Sequence, residues 1–440
     1  MKIGAISLGC DKNRVDTERL LGFVVSAGHE IVNDIAEAEI VIVNTCAFLS
    51  SAVKESLDTV FEVRSHENVK HLILAGCLPM RYLTELSAED GLPEADAIID
   101  NTCYDRIGEI IEDICAGKRV VMTAMAQEKK SPSRVITTPY HYAYLKVSDG
   151  CDNHCTFCAI PSIRGTYKST PIEALVSEAE DLISQGVKEL ILVAQDLTRY
   201  GVDIYGEAKL LDLLRALVAL TIEKIRLLYC YPDMCTNELI DYIDSEPKIA
   251  KYIDMPMQHA ADSVLKRMNR RDTSRTLRDR IAYIRSKGSN IAIRSTFMVG
   301  FPQESNEEFD ELMTFLREER LDNVGFFTYS KEEGTAAARM KGQVPAAVKK
   351  ARYSGVVALQ SAIAEEKAKS MIGKEISVMY DGIDYDKEMF YGHTERQCPD
   401  VDAKVYFTSD EPVNIGKTYS VLVTRIKKLD LYGRLQRSEE

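Results

Sequence analysis

Cysteines in two arrangements carry the chemistry open to this chain. Cys151, Cys155 and Cys158 share one loop, GCDNHCTFCAIPSIRG, at a CxxxCxxC spacing. Thiolates are soft ligands that suit iron–sulfur clusters and zinc. A structural zinc would want a fourth ligand, but no second paired-cysteine knuckle lies nearby, and Asp152 and His154 are badly placed to close a tetrahedron. On a four-iron cubane, three thiolates leave one iron without a protein ligand, and that vacancy can bind a substrate. Cys10, Cys46 and Cys77, in SLGC, VNTC and AGCLP, form a second set, each following a short apolar run. Brought to one place they would again suit an iron–sulfur cluster or zinc; unrelated to one another, they would simply be buried, as free cysteine commonly is.

The elements that must position these thiols are legible as periodicity. Runs at 3–8, 40–44 and 71–75 alternate with amphipathic segments: 16–27, with Leu20, Leu21, Val24 and Val25 on one face, and 50–64, opened by Ser50 as a cap. This predicts a parallel, doubly wound α/β domain over residues 1–125, whose ligands bind beyond the carboxyl ends of the strands. Cys103, after the weaker strand AIID, and Cys115, in the helical pattern IIEDICAG, read as packing residues. The polar, aperiodic stretch 126–138 reads as a linker. Beyond it, six strand candidates (143–148, 189–194, 225–229, 252–256, 291–297 and 324–328) are separated by helical patterns such as 171–185, closed by Gly186, and 273–287, closed by Gly288. They predict a partial (βα)6 barrel within residues 137–368, with chemistry at the strands' carboxyl ends. Gln195 and Asp196, Tyr231 and Pro232, Gln258 and His259, and Gly300 follow successive strands there, although a histidine such as His259 taken alone is usually a surface or satisfied core residue. Residues 345–369 read as one connecting helix with Val348, Ala351, Val356, Leu359 and Ile363 on its packing face. The remaining 370–438 contains five short strands, enough for a small antiparallel β-barrel of OB-like type.

Composition narrows the function classes. The 440 residues are 45% apolar and 28% charged, as in an ordinary globular chain, which disfavours disorder and rods. The net charge of −13 argues against generic affinity for nucleic-acid backbones. From 371 onward, six Lys and four Arg face seven Asp and six Glu, so the terminal barrel is acidic as well. Eleven cysteines without a recognisable signal peptide fit reduced thiols and metal ligands better than a disulfide framework, and a cytoplasmic location is expected.

The CxxxCxxC loop, with Phe157 just before its last cysteine, resembles the radical S-adenosylmethionine (SAM) signature. The resemblance implies that Cys151, Cys155 and Cys158 hold a [4Fe–4S] cluster whose open iron chelates SAM and reduces it to a 5′-deoxyadenosyl radical, with Gly150 and Phe157 shaping the loop. By the same resemblance, Gln195 and Asp196 stand where such enzymes contact the methionine amino group, Gly300 where they approach the adenosine, and Arg294 is a candidate for the SAM carboxylate or the substrate.

The three-part organisation resembles the methylthiotransferases over essentially the whole chain, the last part looking like their TRAM domain. The family implies a second [4Fe–4S] cluster on Cys10, Cys46 and Cys77, leaving Cys230, Cys235 and Cys398 as packing or surface thiols. The segments SLGCDKNRVDTE (7–18), CAIPSIRG (158–165), LVAQDLTRYG (192–201), YPD (231–233), MPMQHA (255–260) and YSKEEGTAAARM (329–340) resemble the branch acting on an aspartate of a small-subunit (30S) ribosomal protein, rather than the branch acting on adenosine in transfer RNA. That branch implies two SAM, one as methyl donor and one as radical source, with the methylthio group placed on the aspartate β-carbon. Its partners would be the ribosomal protein, free or in the 30S subunit, and a low-potential electron donor such as flavodoxin or ferredoxin. Transfer RNA and membrane are disfavoured as partners. Asp11 stands where Pro is usual, Leu197 where Thr is common, and Gln303 where the fifth-strand loop usually has Gly. The rival readings are a transfer-RNA methylthiotransferase and, from another class, a non-catalytic iron–sulfur regulator or RNA-binding module.

Overall fold

Strands that are apolar along their whole length need both faces covered, and this chain builds two parallel sheets from them. The computed structural model describes residues 1–88, 91–123, 133–288 and 290–436. The first sheet comprises β1 (Lys2–Ser7), β2 (Glu30–Ile31), β3 (Ile40–Thr45), β4 (His71–Gly76), β5 (Ala97–Ile99) and β6 (Val120–Met122), all parallel, in the order β2-β1-β3-β4-β5-β6. Helices α1 (Asp11–Ser26), α2 (Ser50–Arg64), α3 (Cys77–Ser87) and α4 (Ile107–Cys115) cover its two faces. Strand order reverses between β1 and β3, so the crevice beyond their carboxyl ends is a topological switch point, where ligands bind in open α/β sheets.

Helix α1 starts at Asp11, earlier than the apolar periodicity over 16–27 indicates, and Val25 is half exposed. Its first turns bury Lys12, Asn13, Asp16 and Thr17, polar residues whose partners come from distant segments and leave no apolar signal. Ser50 is the first helical residue of α2 and not its cap; its amide and hydroxyl both donate to Glu332. Asp11 occupies the first helical position, where both Pro and an acidic residue are favourable, which explains the exchange there. Cys103 is buried as expected, whereas Cys115, the last residue of α4, is exposed.

The six barrel strands form as read: β7 (Tyr142–Lys146), then, after a small ladder of β8 (Ser148–Asp149) and β9 (Lys168–Ser169), β10 (Glu189–Val193), β11 (Lys224–Leu227), β12 (Ile249–Asp254), β13 (Ala292–Val299) and β14 (Asn323–Thr328). They are parallel, in the order β14-β13-β12-β11-β10-β7, and open between the edge strands. The β8–β9 ladder ties together the two ends of the cysteine loop. The helix Ala346–Lys369 has Arg352, Val356, Gln360 and Ile363 as its buried residues; Val348 and Ala351 are exposed. Arg352 and Gln360 are accepted inside because Glu304 and the Leu321 carbonyl receive their N–H groups. Among the described residues no helix is long and apolar enough to cross a membrane.

The terminal strands β15 (Glu375–Asp384), β16 (Met389–His393), β17 (Val405–Thr408), β18 (Thr418–Lys427) and β19 (Asp430–Leu435) close a five-stranded barrel. Four of its pairings are antiparallel; the fifth, β17 with β19, is parallel, so the barrel is not purely antiparallel. Its β16–β17 loop plugs the larger barrel from below. There Asp400 and Asp402 accept from the hydroxyls of Tyr142 (2.6 Å) and Tyr252 (2.8 Å), and Cys398 packs among Tyr142, Tyr144 and Tyr252. Beside them, buried Glu189 pairs with Arg226 and His393, and His393 with Asp381. Of the segment read as a linker, 126–132 lies outside the described residues, while 133–138 is a strap: buried Arg134 pairs with Glu18 and Glu178, and Thr137 donates to Glu18. Cys230 and Cys235 are wholly buried packing residues.

Candidate functional site

Cys10 follows β1, Cys46 follows β3, and Cys77 opens α3 directly after β4, which puts all three thiols at the switch-point end of the first sheet. Hydrogen bonds sew their loops together. Asn13 Nδ2 donates to the carbonyls of Leu8 (2.6 Å), Asn44 (3.3 Å) and Thr45 (3.2 Å), joining the ends of β1 and β3. Thr45 Oγ1 donates to the Ala75 carbonyl and accepts from the Leu78 amide, joining β3 to α3. Ser56 exchanges hydrogen bonds with the backbone of Cys46. Burial pushes the Cys77 thiol up to about 11 against the pull of Arg164, and Cys10 and Cys46 add to the rise, so the three thiols share one electrostatic environment.

The second set lies on the loop stapled by β8 and β9, where Cys151 and Cys155 are buried and Cys158 is half-buried. Burial raises Cys151 to about 11 and Cys158 to about 12, and Cys158 is raised further by the other two. Cys155 is raised by burial and opposed by Arg270, which stacks over Tyr231 and pairs with Asp272. Cys10, Cys77 and Cys151 each follow a glycine with positive φ (Gly9, Gly76 and Gly150). A Cβ on Gly76 would lie 2.1 Å from Asn44 Oδ1, and one on Gly150 2.1 Å from the Thr166 carbonyl, so neither loop accepts a side chain there. Both donor sets fit a cluster: each offers three thiols and no further cysteine. Among the described residues no group of three or more ligating side chains closes on a single metal ion. A cubane, in contrast, spreads its thiolates over separate irons. His154 is exposed and Asp152 accepts from the Tyr167 amide, so neither completes a zinc site.

Arg164 links the loop that carries one set to a thiol of the other. It ends α5 (Ile160–Arg164), the turn that leaves Cys158, and it is buried. Its Nε and Nη2 donate to Cys77 Sγ at 3.3 and 3.1 Å, its Nη1 to Asp16 at 2.6 Å and to Asp149 at 3.1 Å, and its Nη2 to Asn13 Oδ1 at 3.1 Å. Asp149 stands two residues before Cys151 and is held below the usual carboxylate range: Lys146 and Arg164 outweigh its burial. Lys146 also pairs with Asp16.

The other sequence candidates divide. Gln195 Oε1 and Gln258 Oε1 are buried acceptors without a hydrogen-bond partner, as a cofactor ammonium would require. Asp196 has both oxygens engaged, by Thr198 and by Asn153 of the cysteine loop (2.7 Å), and burial raises its pKa. Phe157 packs against the apolar cluster that contains Met268, Met298, Phe301 and Tyr329. Gly300 donates to Glu304 and lies under the Lys349 stem. Arg294 pairs with Asp254 (2.8 Å) and Asp402 (3.6 Å), which turns it toward the terminal-barrel loop. His259 is buried and held neutral, its pKa pushed down to about 3 by burial. Gln303 has a φ of 66°, the left-handed region a glycine would adopt freely. Sequence reasoning assigned no role to Arg164, Asn13, Asp16, Arg270 or Lys12. All but Arg270 lie within a segment quoted for its cysteine, but a buried partner is not visible in local pattern.

The fold and the paired thiol loops define a radical SAM enzyme of the methylthiotransferase kind. Residues 145–316 match the Radical SAM superfamily, 2–100 the uncharacterized protein family UPF0004, and 372–435 the TRAM domain. The ribosomal protein uS12 methylthiotransferase RimO of Lachnoclostridium phytofermentans is 44% identical over 98% of this chain and 99% of its own length. The protein of the same name from Acetivibrio thermocellus is 42% identical over 99% and 98%. The chain belongs to the RimO family of radical SAM methylthiotransferases. Among solved structures, the radical SAM methyltransferase TsrM from Kitasatospora setae, with cobalamin and a [4Fe–4S] cluster bound, is similar at a TM-score of 0.52 and 13% identity, covering 74% of each chain. The cobalamin-dependent radical enzyme OxsB is similar at 0.52 and 12%, over 77% of this chain and 54% of that one.

Proposed function

We propose that this chain adds a methylthio group to the β-carbon of an aspartate in ribosomal protein uS12, using two SAM and two [4Fe–4S] clusters. Cys151, Cys155 and Cys158 would hold the cluster that opens SAM, and Cys10, Cys46 and Cys77 the auxiliary cluster; Gln195 is the best-placed cofactor contact. With SAM bound, the first cluster supplies a primary carbon radical able to abstract hydrogen from an unactivated C–H bond, which a side-chain base of ordinary pKa cannot deprotonate usefully. The observation carrying the reading is Arg164, which ties the tail of the radical loop to the Cys77 sulfur and so sets both donor sets on one crevice. The chain's own residues orient and exclude water: Asn13 and Thr45 fix the strand-end loops, Asp196 and Asn153 fix the radical loop, and the β16–β17 loop seals the barrel below.

This reading divides the chain into 1–125, 137–368 and 370–438 and places it in the cytoplasm, with flavodoxin or ferredoxin as electron donor. An acidic terminal barrel suits a basic ribosomal protein better than transfer RNA. The test is the intact mass of small-subunit ribosomal proteins from cells with and without the gene. One CH3S group replacing one hydrogen on uS12 should vanish on deletion and return on complementation. An unchanged uS12 with loss of a methylthiolated nucleoside would refute the substrate.

A further inference from the structure

Lys12 is a buried ammonium that forms no ion pair with a carboxylate of the described residues. It stands in the first turn of α1, two residues after Cys10, at 6% exposure, and its Nζ lies 3.4 Å from the ring centroid of Tyr229, just beyond β11. Every neighbouring cation on this crevice has its charge engaged: Arg164 and Lys146 by Asp16 and Asp149, Arg270 by Asp272, Arg294 by Asp254 and Asp402, Arg14 by Asp400. The Lys12 charge is favoured by the Tyr229 side chain and by its close sequence neighbours Cys10 and Asp11, but no carboxylate closes an ion pair on it, which is unusual for a buried cation. Lys12 spans from the turn that follows Cys10 to Tyr229, just beyond a barrel strand.

We infer that Lys12 receives the side-chain carboxylate of the substrate aspartate. The inference rests on the proposed reaction. The β-carbon that accepts the methylthio group is bonded directly to that carboxylate carbon, so whatever grips the carboxylate must stand beside the sulfur-bearing site. Lys12, two residues after Cys10 and in no ion pair with a carboxylate among the described residues, meets that requirement. Tyr229 would then hold the ammonium until substrate arrives.

The experiment uses reconstituted holoenzyme and two fluorescent peptides spanning the modified residue of uS12, one with aspartate and one with asparagine. Wild type should bind the aspartate peptide about 10- to 100-fold more tightly. Lys12→Met should lose that preference while its affinity for the asparagine peptide stays the same, and Lys12→Arg should retain most of it. Lys12→Gln repeats the measurement if the Met variant does not fold. A Met or Gln variant that keeps the preference overturns the assignment, as does one that no longer retains labelled SAM, which would give the ammonium to the cofactor carboxylate. Failure of wild-type enzyme to bind or modify either peptide would instead refute the aspartate substrate, and this inference with it.

Discussion

Replacing Arg164 with Met removes the group that joins the two thiol sets, and the structure fixes what is lost. Five hydrogen bonds disappear: two to Cys77 Sγ and one each to Asp16, Asp149 and Asn13. Lys146 is left alone against two carboxylates, Asp16 and Asp149. Leaving a buried charge uncompensated costs about 3–5 kcal/mol. Urea unfolding should show a loss of that size in Arg164→Met. Arg164→Lys should lose somewhat less, since an ammonium keeps the charge but cannot fork to a thiol and two carboxylates at once. Adding Asp16→Asn should recover part of the loss, because it removes the excess negative charge; the coupling in the double-mutant cycle should be about 1–3 kcal/mol. Iron content gives an independent readout. The Cys77 site loses its covering guanidinium while the loop cysteines keep their staple, so the reconstituted variant should retain roughly half the wild-type iron. An Arg164→Met protein within about 0.5 kcal/mol of wild type, or an additive cycle, would refute the bridging role.

Three further outcomes are expected. Burial disfavours a charged His393, but Glu189 and Asp381 outweigh it and lift its pKa from 6.5 to about 9, so its contribution is complete below about pH 6.5 and is lost as pH rises through 9. Thermal melts of wild type should therefore lose about 3 kcal/mol relative to His393→Gln over that window, and parallel curves would count against the clamp. Gly76→Ala places a Cβ against Asn44 Oδ1 at a φ of 91° and should destabilise by at least about 1–3 kcal/mol, with loss of iron from the amino-terminal site; an unaltered melt would contradict the close packing. Gln303→Gly relieves a left-handed non-glycine residue and should stabilise by up to about 1 kcal/mol in urea titration, less the bond its side chain makes to the Lys341 carbonyl.

The parts legible in the sequence are those that local pattern encodes. All six barrel strands formed where apolar runs marked them, because a strand covered on both faces needs nothing but apolar residues and shows as such. The placement of the six candidate cysteines was legible for a related reason: three share a loop, and three follow strands whose ends the doubly wound topology brings together. Polar burial was not legible. The start of α1, the packing face of Ala346–Lys369 and the strap at Arg134 all bury charged or polar groups whose partners lie far away in the chain, so no window of hydropathy contains both halves.

The same division explains why the site could be listed from sequence but not assembled. A thiol trio is specified by spacing within one segment, whereas the relation between two trios is specified by cations that cross from one domain to the other. Arg164 crosses from the radical loop to Cys77, and Lys12 crosses from the Cys10 helix to Tyr229 of the barrel. Arg164 is neutralised by two carboxylates and therefore acts as a joint; Lys12 closes no ion pair with a carboxylate among the described residues, and its ammonium is left for a ligand. The distinction between a structural and a substrate-binding cation thus rests on whether the fold itself supplies the counter-charge. That is a property of the assembled crevice, and neither residue's immediate sequence neighbours determine it.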